Sequence, residues 1–289
     1  LLRRGRFRFY LAPNYLGFPP GRAPGTIRIA VVHDLIPWEL PEARAGGLRW
    51  RLFYRFPPAG RYLLRTAPDR LVAVSEATRA AIVRRFGGES ERIAVVPGAP
   101  SPRFGPEGEE DERLLAALGL PRPYLLYVGR KDAHKNLGRL VEAHRALPGP
   151  MRRRFPLVIA GADIPAGPGL LSIPRVDDEV LPSLYRAATL LVLPSLAEGF
   201  GLTMVEAFAC GTPALASRIS PLVEHGGRAA RYFDPRDAGE MARVMRETLE
   251  DEAALRAMRA AAREQASLFS WEKSASVMKE LLRTLDSGQ

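Results

Sequence analysis

Two carboxylates stand with seven residues between them in the stretch Pro194-Ser195-Leu196-Ala197-Glu198-Gly199-Phe200-Gly201-Leu202-Thr203-Met204-Val205-Glu206. The apolar run Thr189 to Leu193 reads as a buried strand that ends at Pro194. A loop with two glycines follows, and a helical pattern begins at Thr203. Ligands of open parallel sheets bind beyond the carboxyl ends of the strands, so this loop stands where a site should be. Gly199 and Gly201 let backbone approach a ligand closely, and the free N–H groups that open the next helix suit a phosphate. Glu198 lies before the helix start and Glu206 about one turn inside it, so together they can hold different hydroxyls of one polyol. The same residues also read as a loop with a cap and one exposed helical glutamate.

A second strand-to-helix loop, Gly129-Arg130-Lys131-Asp132-Ala133-His134-Lys135-Asn136, carries positive charge. Arg130 offers a planar fork for phosphate oxygens and Lys135 a point charge, with Asn136 expected to cap the helix. A solvated basic loop is the alternative. Against it stands scarcity: the chain has only four lysines, Lys131, Lys135, Lys273 and Lys279, and two lie here. His33-Asp34 ends another apolar run and is a third candidate. Ser75-Glu76 reads as an N-cap, and Asp177-Asp178-Glu179 as acids opposing a helix dipole rather than a metal cluster. The four histidines are scattered without zinc spacing, and neither a Gly-Lys-Ser/Thr phosphate loop nor Gly-x-Gly-x-x-Gly is present.

Strands are expected at Tyr124 to Val128, Pro156 to Ala160, Leu170 to Ile173, Thr189 to Leu193, Pro213 to Ala216 and Ala229 to Phe233. Helices alternate with them at Leu137 to Leu147, Glu179 to Ala187, Thr203 to Ala209 and Asp237 to Leu249. The strands are continuous apolar runs, which a parallel sheet covered on both faces requires. The earlier half repeats the theme with strands at Arg8 to Leu11, Ile27 to Val32, Leu71 to Val74 and Ile93 to Val96, and helices near Leu48 to Phe56 and Ala77 to Phe86. Pro97 to Pro123 has the composition of a linker, with a short helix at Glu112 to Leu118. The expected class is α/β.

With 289 residues, 46% of them hydrophobic and 26% charged, the chain has material for two cores. Its net charge of +10 rests on 38 arginines, an excess that suits phosphate or an anionic membrane surface and does not single out nucleic acid. Cys210 is the only cysteine, which excludes an internal disulfide and a cysteine-built metal site. No apolar run approaches the ~18 residues of a spanning helix, and Leu1 to Tyr10 lacks a signal-peptide core. The expected location is cytoplasmic, peripheral at the inner face of the membrane. Arg49 to Phe56, which interleaves arginine with aromatics, is the segment expected to touch anionic lipid.

Glu198 and Glu206 within Glu-Gly-Phe-Gly-Leu, the upstream Gly-Arg…Lys-Asn and the downstream Cys-Gly-Thr-Pro together resemble the retaining glycosyltransferases of family 4. These have the GT-B fold, two Rossmann-like doubly wound domains facing a cleft. The likeness is specific from about Tyr124 to Pro235 and looser from Thr26 to Phe104, and its flavour is that of the mannosyltransferase-like branch. It implies an N-terminal acceptor-side domain over 1–104, seen only in part, a nucleotide-sugar domain over 105–270, and a helix over 271–289 that crosses back to the first.

The resemblance also implies roles. Arg130 and Lys135 would hold the donor diphosphate, and Glu198 would contact the donor sugar. The amides of Gly199, Phe200, Gly201 and Leu202 would bind the distal phosphate and sugar, and Glu206 the ribose. The base would lie near Arg175 and Val176, and His33 would line the cleft. No metal and no resident cofactor are implied. The donor is a GDP- or UDP-sugar and the acceptor a glycan or a lipid-linked glycan. The sugar moves with retention, and the leaving phosphate takes the acceptor's proton. Two departures accompany the likeness: no glycine-rich loop follows the first strand, and Leu11 stands where relatives carry the histidine of a His-x-Pro-Asn segment. The chain begins at Leu1 rather than Met, and the first half has fewer strands than its partner. Both suggest a fragment of a longer product, expected to bind nucleotide but to catalyse poorly alone. The competing readings are a non-catalytic binder of nucleotide sugar or glycan, and a basic protein of membrane surfaces or nucleic acid, with no nucleic acid expected as partner of the transferase.

Overall fold

The computed structural model describes residues 7–17, 24–40, 60, 64, 67–108, 111–165 and 167–287. Two compact units are present: Leu1–Gly98 together with Trp271–Gln289, and Ala99–Ser270. The expected helix near Leu48 to Phe56, and with it the lipid-facing segment from Arg49, lies outside the described residues.

The first unit is built on four parallel strands, β1 (Phe9–Ala12), β2 (Ile27–Val32), β3 (Arg70–Ala73) and β4 (Ile93–Val95), in that spatial order. α1 (Ile36–Glu39) follows β2, and α2 (Glu76–Phe86) follows β3. Alternation along Ile27–Val32 sends neighbouring side chains to opposite faces. Ala30 and Val32 join Trp38, Ile82 and Phe86 on one face, where Trp38 meets Phe86 edge-on at 5.3 Å. Ile29 and Val31 join Val72 on the other, which the C-terminal helix Trp271–Ser287 covers with Met278, Leu281, Leu282 and Leu285. Ser274 Oγ donates to the Pro97 carbonyl, and Arg8 Nε lies 2.8 Å from Asp286 Oδ1, so both ends of that helix are tied to this unit. Ser75 caps α2 by accepting from the Thr78 amide.

The second unit holds α3 (Asp111–Ala117), β5 (Leu125–Val128), α4 (Leu137–Ala146), α5 (Gly149–Arg154), β6 (Leu157–Ala160), β7 (Leu170–Ile173), α6 (Leu181–Ala187), β8 (Leu190–Leu193), α7 (Leu202–Ala209), β9 (Ala214–Ser217), α8 (Ser220–Gly226), β10 (Ala230–Phe233), α9 (Ala238–Glu250) and α10 (Glu252–Ala266). Its six parallel strands lie in the order β10-β9-β8-β5-β6-β7. β5, the first of them in the chain, therefore stands mid-sheet beside β8, the fourth. The chain winds outward from β5 through β6 and β7, then returns to β8 and winds the other way. Apolar clusters cover both faces, one around Leu126, Leu191 and Phe208, the other around Leu125, Val192 and Met245. This double burial is why β6 and β8 have no exposed position.

Several sequence expectations are corrected. Most of Pro97 to Pro123 is part of the second unit rather than a linker. Leu115 is buried in its core, and Arg186 clasps Asp111 at 2.6 Å while donating to the Gly105 carbonyl at 3.1 Å. Asp177-Asp178-Glu179 makes no side-chain cap. The Asp177 carbonyl accepts from the Val180 and Leu181 amides, and the helix begins only at Leu181, with proline in its first turn. Asp178 pairs instead with Arg103 at 3.4 Å. In the second unit three helices, α5, α8 and α10, add to the expected set, as the short α1 does in the first. α5 and α8 open on proline, which reads as a breaker but is tolerated in a first helical turn whose amides have no intrahelical partner.

Candidate functional site

β5 and β8 are the adjacent strands from which the chain departs in opposite directions. Loops at their carboxyl ends diverge there and leave a crevice, the position at which open α/β sheets bind ligands. The two loops are the ones whose composition stands out: 129–136 after β5 and 194–201 after β8.

Backbone and side chain lock them together. The Leu196 amide donates to the His134 carbonyl at 2.7 Å. Asn136 Nδ2 donates to the Pro194 carbonyl at 2.9 Å and to the Pro235 carbonyl at 2.7 Å. Asn136 holds a left-handed backbone (φ 56°) and makes no side-chain cap to α4, so its expected capping role is replaced by a clamp across three loops. Its short amide tolerates that conformation and reaches both carbonyls. From below, the buried Tyr127 hydroxyl donates to the Arg130 carbonyl at 2.8 Å. Burial pushes the Tyr127 phenol upward, so it remains a donor.

The clamp brings Lys135 onto Glu198, Nζ to Oε1 at 2.6 Å, and Ser195 Oγ donates to the same oxygen at 2.7 Å. Both charged side chains are largely shielded, 20% and 13% exposed. Gly201 then caps α7 with φ 88°, and a Cβ there would meet Leu222 Cδ2 at 2.5 Å. Glycine is required on both counts. No side chain caps α7, so its first turn keeps N–H groups directed out of the helix end. Gly199 and Phe200 are buried, and Leu202 is exposed at the helix start. The Phe200 carbonyl accepts from His225 Nδ1 at 2.8 Å, and the imidazole lies against the Phe200 ring at 4.3 Å.

Glu206 lies one turn into α7, half-buried, with Tyr185 OH donating to Oε2 at 3.2 Å. Burial raises its carboxyl to about 7. Nearby Asp178 pushes the same way, while Tyr185 and Arg103 oppose them. Arg130 is turned outward onto Asp132, at 2.7 Å through Nη2 and 3.1 Å through Nε. It is not brought to Lys135 and Glu198. Arg175 is exposed and Val176 half-buried in the loop beyond β7, the edge strand two places from β5. In the first unit, His33 Nε2 donates to the Pro13 carbonyl at 2.8 Å, Asp34 accepts from the Ile36 amide at 2.9 Å, and Leu11 is exposed. Among the described residues no group of three or more His, Cys, Asp or Glu could hold a metal ion, and no helix is long and apolar enough to cross a membrane.

Tyr185, Ser195 and His225 carry no sequence signal for the site. Tyr185 precedes Glu206 by 21 positions, and the helix pairing that joins them is a tertiary fact.

Two Rossmann-like parallel sheets, the first wound in one direction and the second doubly wound with these loops at its switch point, define a GT-B glycosyltransferase fold. Sucrose-phosphate synthase from Thermosynechococcus elongatus matches with a TM-score of 0.77 at 24% identity, over 98% of this chain and 74% of that one. Anabaena Alr3699/HepE in complex with UDP-glucose matches with a TM-score of 0.71 at 17% identity, over 91% and 72%. The family model of the glycosyl transferases group 1 matches residues 111–265, more than half of the chain, and the chain belongs to that family. It is similar to the serotype-specific mannosyltransferase WbdA of Escherichia coli, 29% identical over 280 residues. That alignment takes in 90% of this chain but only 34% of WbdA, so the chain spans about a third of that relative's length.

Proposed function

We propose that the chain transfers a sugar, with retention at the anomeric carbon and without a metal ion, from a nucleotide-diphosphate sugar to a glycan or lipid-linked acceptor in cell-surface polysaccharide synthesis. The observation that carries this reading is the contact of Lys135 with Glu198 beside the open first turn of α7, at the crevice of the second sheet. It brings a cation, helix amides and a carboxylate to one point. A donor sugar diphosphate needs the first two for its phosphates and the third for its hydroxyls.

As the glycosidic bond to phosphate lengthens, positive charge grows on the sugar and negative charge on the leaving diphosphate. Lys135 and the α7 amides meet the negative charge where it develops. Glu198 accepts from sugar hydroxyls and orients the ring. The diphosphate competes with Glu198 for the Lys135 ammonium, so donor binding frees carboxylate oxygen for the sugar as it engages the cation. The leaving phosphate oxygen is itself basic enough to receive the acceptor's proton. Glu206 takes the ribose hydroxyls, and the base lies toward Arg175 and Val176. Arg130 joins the phosphates once it leaves Asp132, and His33 serves the acceptor side. The HepE complex with UDP-glucose and the WbdA likeness favour a UDP- or GDP-linked hexose, with mannose the first to test. Work on a lipid-linked acceptor fits a cytoplasmic protein resting at the inner membrane face.

A thermal-shift panel of UDP-, GDP- and ADP-sugars with the free nucleotides tests the reading. One nucleotide series is expected to raise Tm, and transfer from that donor is expected to give a product with the donor's anomeric configuration by NMR. No shift with any of them, or an inverted product, refutes it.

A further inference from the structure

Glu206 has a fixed partner that the sequence does not announce. Tyr185 is fully buried on α6, and three contacts hold it in place. Its ring packs edge-on against Phe104 with centroids 5.8 Å apart, its carbonyl accepts from Thr212 Oγ1, and its hydroxyl donates to Glu206 Oε2. A phenol immobilised in this way is a donor of fixed direction. The Glu206 side chain has three rotatable bonds between its backbone and its carboxyl carbon. Without a partner it samples several rotamers, and ordering it for a ligand costs conformational entropy. With Oε2 bound to Tyr185, the carboxylate already stands in one orientation.

The charged and titratable groups around Glu206 are few. From α6 comes the Tyr185 phenol, itself shifted upward by burial. From the loop before α6 comes Asp178, and from the segment before α3 comes Arg103, which pairs with Asp178. On α7 itself, Cys210 stands one turn on and is held protonated by burial, which raises it to about 12. α10 brings Arg259, bonded to the Ala188 and Thr189 carbonyls, and Arg263, beside Gly211. α8 brings His225, bonded to the Phe200 carbonyl. Only the Tyr185 hydroxyl donates to the Glu206 carboxylate among the described residues.

We propose that Tyr185 is a positioning residue for Glu206. Its buried phenol holds the carboxylate in one orientation for the ribose end of a nucleotide and favours its ionised form, so that affinity at that end follows the ionisation of Glu206. The inference rests on the donor-site reading above. A phenol that donates to a carboxylate stabilises the ionised form, whereas burial disfavours it. Glu206 thus sits at a balance around pH 7, where it titrates. The ionised carboxylate is the stronger acceptor for ribose hydroxyls, so nucleotide affinity rises with pH through that midpoint.

The test compares wild type with Tyr185→Phe, which keeps the ring and removes the hydroxyl. Carboxyl 13C NMR of the ligand-free protein should place the Glu206 midpoint near 7 in the wild type. In the variant it should lie roughly one pH unit higher. Calorimetry with UDP and GDP should show the affinity curve displaced upward in pH by the same interval. Inorganic pyrophosphate should bind both proteins alike. Glu206→Gln, which cannot titrate, should leave only the pH dependence of the nucleotide's own terminal phosphate, the same with either residue at 185. An unshifted carboxyl midpoint in Tyr185→Phe overturns the inference. A shifted midpoint with an affinity curve that does not move between wild type and Tyr185→Phe overturns the ribose contact, and the inference with it, so the two failures are told apart.

Discussion

Lys135 Nζ lies 2.6 Å from Glu198 Oε1, across 63 positions of sequence, because the Asn136 amide clamps the two loops that carry them. In the function proposed above, phosphate recognition and sugar recognition are coupled through this one short ion pair. Neither side chain can be removed without leaving the other shielded and uncompensated.

The first prediction concerns Glu198→Gln. The amide keeps shape and hydrogen-bonding capacity but surrenders the charge that orients the sugar. Turnover should fall at least about tenfold, while nucleotide affinity holds or improves slightly as Lys135 loses a competitor; a charged hydrogen bond is worth ~1.5–3 kcal/mol. Steady-state transfer and calorimetry on the same preparations check both halves.

Lys135→Ala should separate the diphosphate from the nucleoside. Binding of a nucleoside diphosphate should weaken by about 1.5–3 kcal/mol, and that of the nucleoside hardly at all. The stranded Glu198 should also lower Tm. Equal losses for the two ligands would mean that Lys135 lies away from the phosphates.

Asn136 tests the clamp. Asn136→Ala loses two hydrogen bonds and puts an alanine in a left-handed conformation, so urea unfolding should show a loss of roughly 2–4 kcal/mol. Asn136→Gly keeps the backbone unstrained and should recover about 1 kcal/mol of this. Both variants should impair transfer, since both release loop 194–201 from loop 129–136.

Asp111 bears on the acid limb of stability. Its hydrogen bond to Arg186 holds the carboxyl below the usual carboxylate range, with Ser183 and Arg122 adding to the effect and burial opposing it. The stabilisation is present above the ordinary value of 3.8 and is lost as pH falls through the lowered folded value. In Asp111→Asn the stability curve should be lower at neutral pH and flatter below about pH 4. Chemical denaturation of both proteins across that window decides it.

The strands were legible because a doubly covered parallel sheet writes itself as continuous apolar runs. Leu170–Ile173 and Ile27–Val32 were placed to the residue, the others within one position at either end. Gly201 was legible as a point of close backbone approach, whereas its positive φ at the start of α7 and the approach of Leu222 appear only in the fold. Short helices that open on proline, α5 and α8, were not, because local punctuation outweighs a six- or seven-residue pattern.

By itself the sequence determined which strand ends differ in composition from the rest: the lysine-bearing loop 129–136 and the two-glutamate stretch 194–206, each a local run of residue types at a strand-to-helix turn. Only the tertiary structure decided what those residues meet. Strand order places β5 beside β8 and so joins Lys135 to Glu198 and converts Asn136 from a cap into a clamp, and helix packing sets Tyr185 against Glu206. The reason is physical. Strand and turn propensities act over a few residues, whereas these contacts span 21 to 99 positions and exist only once two sheet faces have been buried and the loops above them share one crevice.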